Sequence, residues 1–400
     1  MAGRVLLWCR TAPPWLVVVV LYAVSRLVSS AWLGGLFAVA SANDWDFASP
    51  RREPSFFTFS GSWDASFYRT IARDGYPTEL PTDADGAVKP NPWAFLPVFP
   101  AIVRGLMQVL GVDPAGQGFY TVGVVVATIA GGAAAVVLHR LVTETAGSRS
   151  AATWAVALFC FGPVSFVLQV VYAESLMLFL LFACLLAQVR RQYLVMIPFG
   201  VVAAFTRPGV LAVALALAVH GVVRLVREGA RPGFPLRQRV ELVVAGLVIA
   251  AAGLAWPVIA DAVTGLHDAY LDTELSWWTG FVGAQSFTPL TPWFVMATTF
   301  LGWAGVVLVL AVLALVVWFL TRPSTRSLGV DVVAFAGSYV LYLVAVFLPQ
   351  QSLPRLLMPL APVLGTPAIA RSPRLRTSLL VGGAALQPVA VVLLWFVGYP

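Results

Sequence analysis

Asp64 is the strongest candidate for a catalytic group in this sequence, because it lies in a polar stretch of an otherwise apolar chain. The stretch GSWDASFYRTIARDGYP covers residues 61–77. Helical spacing places Phe67 and Ile71 on one face with Asp64, which predicts a short amphipathic helix on the membrane surface. A carboxylate at the start of such a helix could be a general base that removes a proton from a hydroxyl group. The alternative interpretation is that Asp64 only caps the helix.

A second group of candidates consists of charged residues in or beside apolar segments, where a charge is costly and usually serves a function. Glu174 lies in a turn between two apolar runs, where it could orient an acceptor, pair with an arginine, or simply favour a helix N-terminus. Arg207 and Arg355 lie at the predicted outer ends of two spans, where guanidinium groups could bind a phosphate or contact lipid headgroups. The remaining candidates are Arg26 and Arg104 in apolar runs, with Arg69, Arg73 and Asp74 after Asp64.

The composition is typical of an integral membrane protein. Of the 400 residues, 60% are hydrophobic and only 11% are charged, whereas soluble domains carry about 25% charged residues. The formal net charge is +7, but Lys89 is the only lysine and most arginines lie in short gaps between apolar runs. This distribution follows the positive-inside rule and argues against nucleic acid as a partner. The three cysteines and three histidines fit neither a disulfide framework nor a metal site.

Eleven apolar runs predict an all-α polytopic membrane protein with a single domain over residues 1–400. The first run resembles a signal peptide, but its length favours an uncleaved helix. With a cytoplasmic N-terminus, most arginines lie inside and most acidic residues outside, provided that residues 93–111 form an interfacial or re-entrant helix. The predicted spans are 14–40, 119–139, 151–169, 172–189, 193–206, 209–226, 239–260, 293–320, 331–348, 354–370 and 377–397.

Two long segments are then predicted outside the membrane, together with the C-terminus. Residues 41–118 form the first, which contains Asp64 and short interfacial helices. Residues 261–292 form the second, which is rich in aromatic residues. Such loops can bind sugars or form an aromatic belt at the membrane surface, and both interpretations stay open at this point.

The sequence lacks the motifs of soluble nucleotide-dependent enzymes, since it contains no GxGxxG, P-loop or HExxH pattern. Two Asp-x-Asp triplets, at 44–46 and 83–85, resemble the metal-binding pairs of nucleotide-sugar enzymes. Both lie on the predicted outer face, where nucleotide sugars are absent, so chance is the simpler origin of the second triplet. We therefore predict no bound cofactor and favour chemistry without a metal.

The stretch around Asp64 resembles the opening of the PIG-V family of mannosyltransferases. The corresponding residues are Trp63-Asp64-Ala65, Ile71-Ala72, Gly75-Tyr76 and the proline-containing segment 95–100. Further on, residues 172–175 look like the family's Tyr-Ser-Glu-Ser turn, and residues 206–209 look like its Arg-Ser-Asn-Gly segment, from which Pro208 and Gly209 depart. The resemblance spans about residues 55–215, and the Ala-, Val- and Arg-rich composition suggests a bacterial member of actinobacterial type.

The resemblance implies a GT-C membrane fold and a sugar donor linked to polyprenyl phosphate. Asp64 would deprotonate a hydroxyl group of a lipid or glycolipid acceptor in an inverting transfer of mannose. The protein would lie in the plasma membrane with its active site on the extracytoplasmic face. Two other functions stay open, namely a transporter or flippase for a lipid-linked or anionic substrate, and a structural partner in an envelope assembly. The residues predicted to contact the donor phosphate or the substrates are Trp63, Tyr68, Arg69, Tyr76, Glu174, Arg207 and Arg355.

Overall fold

The computed structural model describes residues 12–45, 54–113, 116–228 and 233–398. These residues form helices joined by turns, with one isolated β-bridge between Thr82 and Val88, so the predicted all-α fold class is confirmed. Asp46, the last residue of the first Asp-x-Asp triplet, lies outside the described residues. The α-helices are α1 (Pro14–Ala42), α2 (Phe56–Phe59), α3 (Ala65–Asp74), α4 (Val98–Leu110), α5 (Gly118–Ala146), α6 (Arg149–Cys160), α7 (Glu174–Val189), α8 (Tyr193–Ala204), α9 (Leu211–Glu228), α10 (Leu236–Thr264), α11 (Ala269–Ser276), α12 (Thr279–Val282), α13 (Pro292–Leu301), α14 (Trp303–Thr321), α15 (Pro323–Arg326), α16 (Val330–Val346), α17 (Leu353–Leu356), α18 (Pro367–Ala370) and α19 (Pro373–Val391).

The helix lengths fit a membrane protein. Within the described residues, five helices are long and apolar enough to cross a bilayer, namely α1, α5, α10, α14 and α19 with its π-helical continuation Val392–Val397. Shorter apolar helices, which are α4, α7, α8, α13 and α16, accompany them. Many of their apolar side chains are exposed on the outside of the bundle. A surface of this kind is suited to contact with lipid.

Three predicted spans are broken within their length, so the prediction of one helix for each of them was wrong. The span 151–169 stops being α-helical at Cys160, and the span 293–320 breaks at Gly302, whose φ is +55°. The span 354–370 consists of most of α17, the 3₁₀ helix Met358–Gly365 and α18. Prolines at positions 354, 359, 362 and 367 explain this break, because proline lacks the amide hydrogen that a helix interior needs.

Residues 93–111 begin within the 3₁₀ turn Pro92–Ala94 and continue into α4, which has 13 residues. A helix of this size is about 20 Å long, which is short for a hydrocarbon core of about 30 Å. Its Arg104 side chain is exposed. That this segment does not cross the membrane stays a prediction.

The centre of the bundle is formed by α5 and α7, which pack against each other. Helix α6 packs against α5, and α8 packs against α7. Helix α9 packs between α10 and α16. A glycine allows one close approach: a Cβ atom at Gly131 of α5 would lie 2.4 Å from the hydroxyl of Tyr22 on α1. That hydroxyl donates hydrogen bonds to backbone carbonyls of Thr128 and Leu168, so it joins α1 to the core.

Arg26, a charged residue inside α1, has a structural explanation. Its Nη1 donates to the carbonyl of Ser165 at 2.6 Å, and its Nη2 donates to the carbonyl of Cys160 at 3.0 Å. Carbonyls at the end of a helix such as α6 lack intrahelical partners. Arg26 therefore satisfies backbone groups where the chain leaves its regular helix.

Candidate active site

Asp64 lies immediately before α3, at the helix N-cap position, but its side chain makes no capping hydrogen bond. The preceding residue, Trp63, has a φ of +59°, which is an unfavourable conformation for a bulky side chain and is often found at functional sites. The backbone N–H of Asp64 donates to the hydroxyl of Tyr172 at 3.3 Å. The Asp64 carboxylate is thus directed to another partner instead of capping its own helix.

That partner is Arg355, which joins two carboxylates from distant parts of the chain. Its Nη1 donates to Oδ2 of Asp64 at 2.8 Å and to Oε1 of Glu174 at 2.7 Å. Arg207, between α8 and α9, forms an ion pair with the same Glu174 oxygen. We call these four residues the charge network; it contains two positive and two negative groups, so its formal net charge is zero.

The charge network lies in the interior of the protein. The exposed fractions of the side chains are 5% for Glu174, 9% for Arg355, 14% for Asp64 and 17% for Arg207. Within the described chain, Glu174 Oε2 and Arg355 Nε are buried and have no hydrogen-bond partner. An unsatisfied buried polar atom costs about 1–3 kcal/mol. A ligand that supplies the missing partners would therefore gain binding energy here.

Aromatic side chains surround the network on the side of α3. The ring centroid of Tyr172 lies 5.0 Å from Cζ of Arg355, and the Tyr172 ring also contacts Trp395 at 5.2 Å. The indole N–H of Trp63 donates to the carbonyl of Trp395 at 3.1 Å. Trp63 therefore holds the segment before Asp64 against the C-terminal helix.

Tyr68 lies beside the network. It is buried, it packs against Phe95 and Phe99 with ring centroids at 5.3 Å, and it interacts electrostatically with Arg207, Glu174 and Asp64. Burial, which disfavours the phenolate, raises the pKa of Tyr68 above its usual value. Tyr68 is therefore a neutral hydrogen-bonding group at this position.

The other residues predicted from the first loop lie elsewhere. The Tyr76 hydroxyl donates to the carbonyl of Phe95 at 2.7 Å, and its ring packs between Trp93 and Trp256. Arg69 stacks over the ring of Tyr120. Arg73 and Asp74 form an exposed ion pair with each other. The structure thus brings Asp64, Glu174, Arg207 and Arg355 together, with Tyr68 adjacent. Tyr76, Arg69, Arg73 and Asp74 are not part of this network.

Glu274 is a residue near the network that the sequence analysis did not single out. It lies on α11 and is hydrogen-bonded to Tyr270, and it interacts electrostatically with Arg207 and Asp64. Burial, aided by repulsion from Asp64, raises the pKa of Glu274 to about 7. Its sequence signal is the spacing of Tyr270, Glu274 and Trp277, which places all three on one helical face.

The described residues contain no group of three or more His, Cys, Asp or Glu side chains that could hold a metal ion. In the triplet at 83–85, Oδ1 of Asp83 accepts hydrogen bonds from the backbone N–H groups of Asp85 and Ala87. This carboxylate therefore stabilises its own turn. The first triplet ends at Asp46, outside the described residues.

The fold and the charge network define a polytopic membrane protein with a buried site built from carboxylates and guanidinium groups. Residues 46–227, just under half of the chain, match the family Mannosyltransferase (PIG-V). This match confirms the resemblance to the PIG-V mannosyltransferases predicted from the sequence, and it supports glycosyltransferase activity. The matched residues include Asp64, Glu174 and Arg207. A comparison with curated proteins gives no match.

Proposed function

We propose that this protein transfers a mannosyl residue from polyprenyl-phosphate mannose to a hydroxyl group of a lipid or glycolipid acceptor. The observation that carries the proposal is the bridge that Arg355 forms between Asp64 and Glu174, with Arg207 on the same Glu174 oxygen. A base and two phosphate-binding groups are the parts that such a transfer needs. The family match supports a mannosyltransferase, and the donor, acceptor and mechanism are our proposal.

In the proposed reaction Asp64 is the general base. The acceptor hydroxyl attacks C1 of the mannose from the face opposite the phosphate, and its proton passes to the Asp64 carboxylate. The bond between C1 and the phosphate oxygen breaks at the same time, so the configuration at C1 is inverted. The products are the mannosylated acceptor, polyprenyl phosphate and protonated Asp64, which then returns its proton to solvent.

The charges of the network suit this reaction. The donor is a phosphodiester with one negative charge, and the leaving polyprenyl phosphate carries one more. When Asp64 takes up the proton, it becomes neutral and the network changes from a net charge of zero to +1. Arg355 is then free to compensate the new charge of the phosphate, and Arg207 adds a second guanidinium nearby. The positive charge therefore becomes available in the step that needs it.

The proposal places the site at the extracytoplasmic face of the plasma membrane, with a cytoplasmic N-terminus. All four network residues fall in outer loops or at the outer ends of spans in the topology that the positive-inside rule favours. Their contacts require them to share one side of the membrane. This agreement supports the proposed orientation.

The experiment that tests the function is a transfer assay with purified protein in detergent. Radiolabelled polyprenyl-phosphate mannose is the donor, and the polar lipids of the source organism are the acceptors. We expect Asp64→Asn to lower the rate of transfer by about 10²–10⁴-fold, which is the usual contribution of a general base. Asp74→Asn is the matched control, because Asp74 is an exposed residue at the other end of α3.

Wild-type rates in Asp64→Asn would refute the proposed role of Asp64. Movement of labelled donor across the membrane of reconstituted vesicles, without any mannosylated product, would instead support the transporter interpretation.

A further inference from the structure

Helix α11, in the second predicted outer loop, packs directly against the segment that carries Asp64. The hydroxyl of its Thr273 accepts a hydrogen bond from the side chain of Asn91 at 2.9 Å. The ring of Trp277 lies 5.6 Å from that of Phe67, a residue of α3. These contacts fix one face of α11 against α3 and the loop that follows α3, whereas Asp272 is exposed on the other face.

The face of α11 towards the network carries groups that suit a hydroxyl-rich ligand. Glu274 can accept hydrogen bonds through two oxygens, and the hydroxyl of Tyr270, its hydrogen-bonded neighbour, has only one hydrogen to donate. The indole Nε1–H of Trp277 is buried and has no hydrogen-bond partner within the described residues. A sugar or cyclitol ring has hydroxyl groups around its edge and apolar C–H groups on its faces. The carboxylate and the unused N–H donor can bind the hydroxyl groups, and the aromatic rings can pack against the apolar faces.

The charges indicate which substrate this face receives. The donor carries a phosphate, which Arg207 and Arg355 attract and which an additional carboxylate would repel. An uncharged polyhydroxyl headgroup has no such conflict with Glu274. Glu274 lies about one helical turn before Trp277, which packs on Phe67 of α3, the helix that begins after Asp64. Glu274 also interacts electrostatically with Asp64 and Arg207, so a headgroup bound here would have a hydroxyl close to Asp64.

We propose that Tyr270, Glu274 and Trp277 form the acceptor subsite, and that it binds an uncharged, hydroxyl-rich headgroup such as a sugar or a cyclitol. The inference rests on the proposed function and extends it by naming the acceptor class and the residues that select it. In this subsite Glu274 accepts hydrogen bonds from headgroup hydroxyls, and Trp277 donates one. Asp64 keeps its role as the base.

The test separates acceptor binding from donor binding. The full-length protein in detergent is assayed with radiolabelled polyprenyl-phosphate mannose and the polar lipids of the source organism, and donor binding is measured separately without acceptor. We expect Glu274→Gln to raise the KM for the acceptor lipids by about tenfold or more, as expected for loss of a hydrogen bond to a charged group. The donor Kd should change by less than about twofold. Asp272→Asn, the control on the same helix, should leave both constants unchanged.

A second variant, Trp277→Phe, keeps an aromatic ring but removes the N–H group, and we expect a smaller rise in the same KM. An unchanged acceptor KM in Glu274→Gln, or a donor Kd that rises in parallel with it, would overturn this inference while leaving the proposed function intact. Wild-type protein that binds donor but mannosylates none of the lipids would overturn the proposed function itself, and this inference with it.

Discussion

Replacing Arg355 by glutamine, which keeps a polar side chain but removes the positive charge, should destabilise the protein strongly. In the wild type, one guanidinium nitrogen lies 2.8 Å from Asp64 and 2.7 Å from Glu174. Without it, two carboxylates remain in the interior with Arg207 as the nearest cation, and the net charge of the network falls from zero to −1. Removal of one partner from a buried ion pair costs about 3–5 kcal/mol, and we expect a loss of this size.

A second substitution tests whether charge is the cause. Asp64→Asn in the Arg355→Gln background restores a network of zero net charge, because Glu174 and Arg207 then remain as a pair. We expect the double variant to recover about 1–3 kcal/mol of stability, which is the usual range of coupling between contacting residues. It should not recover transfer activity, since the proposed base is absent.

The measurement is equilibrium unfolding of the purified protein in mixed micelles, followed by tryptophan fluorescence, for the wild type, both single variants and the double variant. Arg73→Gln is the matched control, because Arg73 pairs with Asp74 at the surface and should leave the unfolding midpoint almost unchanged. Strictly additive effects of the two network substitutions, or an Arg355→Gln variant as stable as the wild type, would refute the existence of the network.

Two further predictions concern residues outside the charge network. Arg26→Gln should lower the free energy of unfolding by about 2–4 kcal/mol, because two hydrogen bonds from a charged donor are lost, while the transfer rate per folded molecule stays near that of the wild type; a large loss of transfer at unchanged stability would contradict the structural role. The acceptor KM should fall as the pH rises from 6 to 8, because Glu274, with a pKa of about 7, is ionised above that pH and then accepts hydrogen bonds through both oxygens. Glu274→Gln should abolish this pH dependence, and a profile that persists in the variant would assign it to another group. The charged and titratable groups that interact with Glu274 are Tyr270, Arg207, Asp64 and Tyr342.

The sequence was sufficient to predict the fold class, because membrane helices are recognised from composition and length. It was less informative on helix continuity. The segment 354–370 is apolar enough for a span, but its four prolines divide it into short helices. Hydropathy averages over a window and does not register the missing amide hydrogens, so the breaks at such positions escape an analysis of that kind.

The members of the charge network could be predicted singly, but their contacts could not. A charge next to an apolar segment is conspicuous, which is why Glu174, Arg207 and Arg355 were candidates together with Asp64. Their pairing depends on how α7, the segment before α9 and α17 pack around α3, and residues 64 and 355 are too far apart in the chain for any local pattern to join them. Glu274 was less visible, because an acidic residue in a polar loop is unremarkable until the face of its helix is known.

Arg26 and Arg355 are both buried, but they differ in one decisive respect. Arg26 donates its hydrogen bonds to two backbone carbonyls and to the hydroxyl of Ser25. These groups do not take up protons at physiological pH, so the surroundings of Arg26 keep the same charge at all times. Arg355 donates to two carboxylates, and a carboxylate becomes neutral when it accepts a proton. Only the second arrangement can change its net charge during a reaction. Burial of a charge in a membrane protein therefore does not by itself mark a catalytic site. The partners of that charge decide whether it serves the structure, as we infer for Arg26, or the chemistry, as we infer for Arg355.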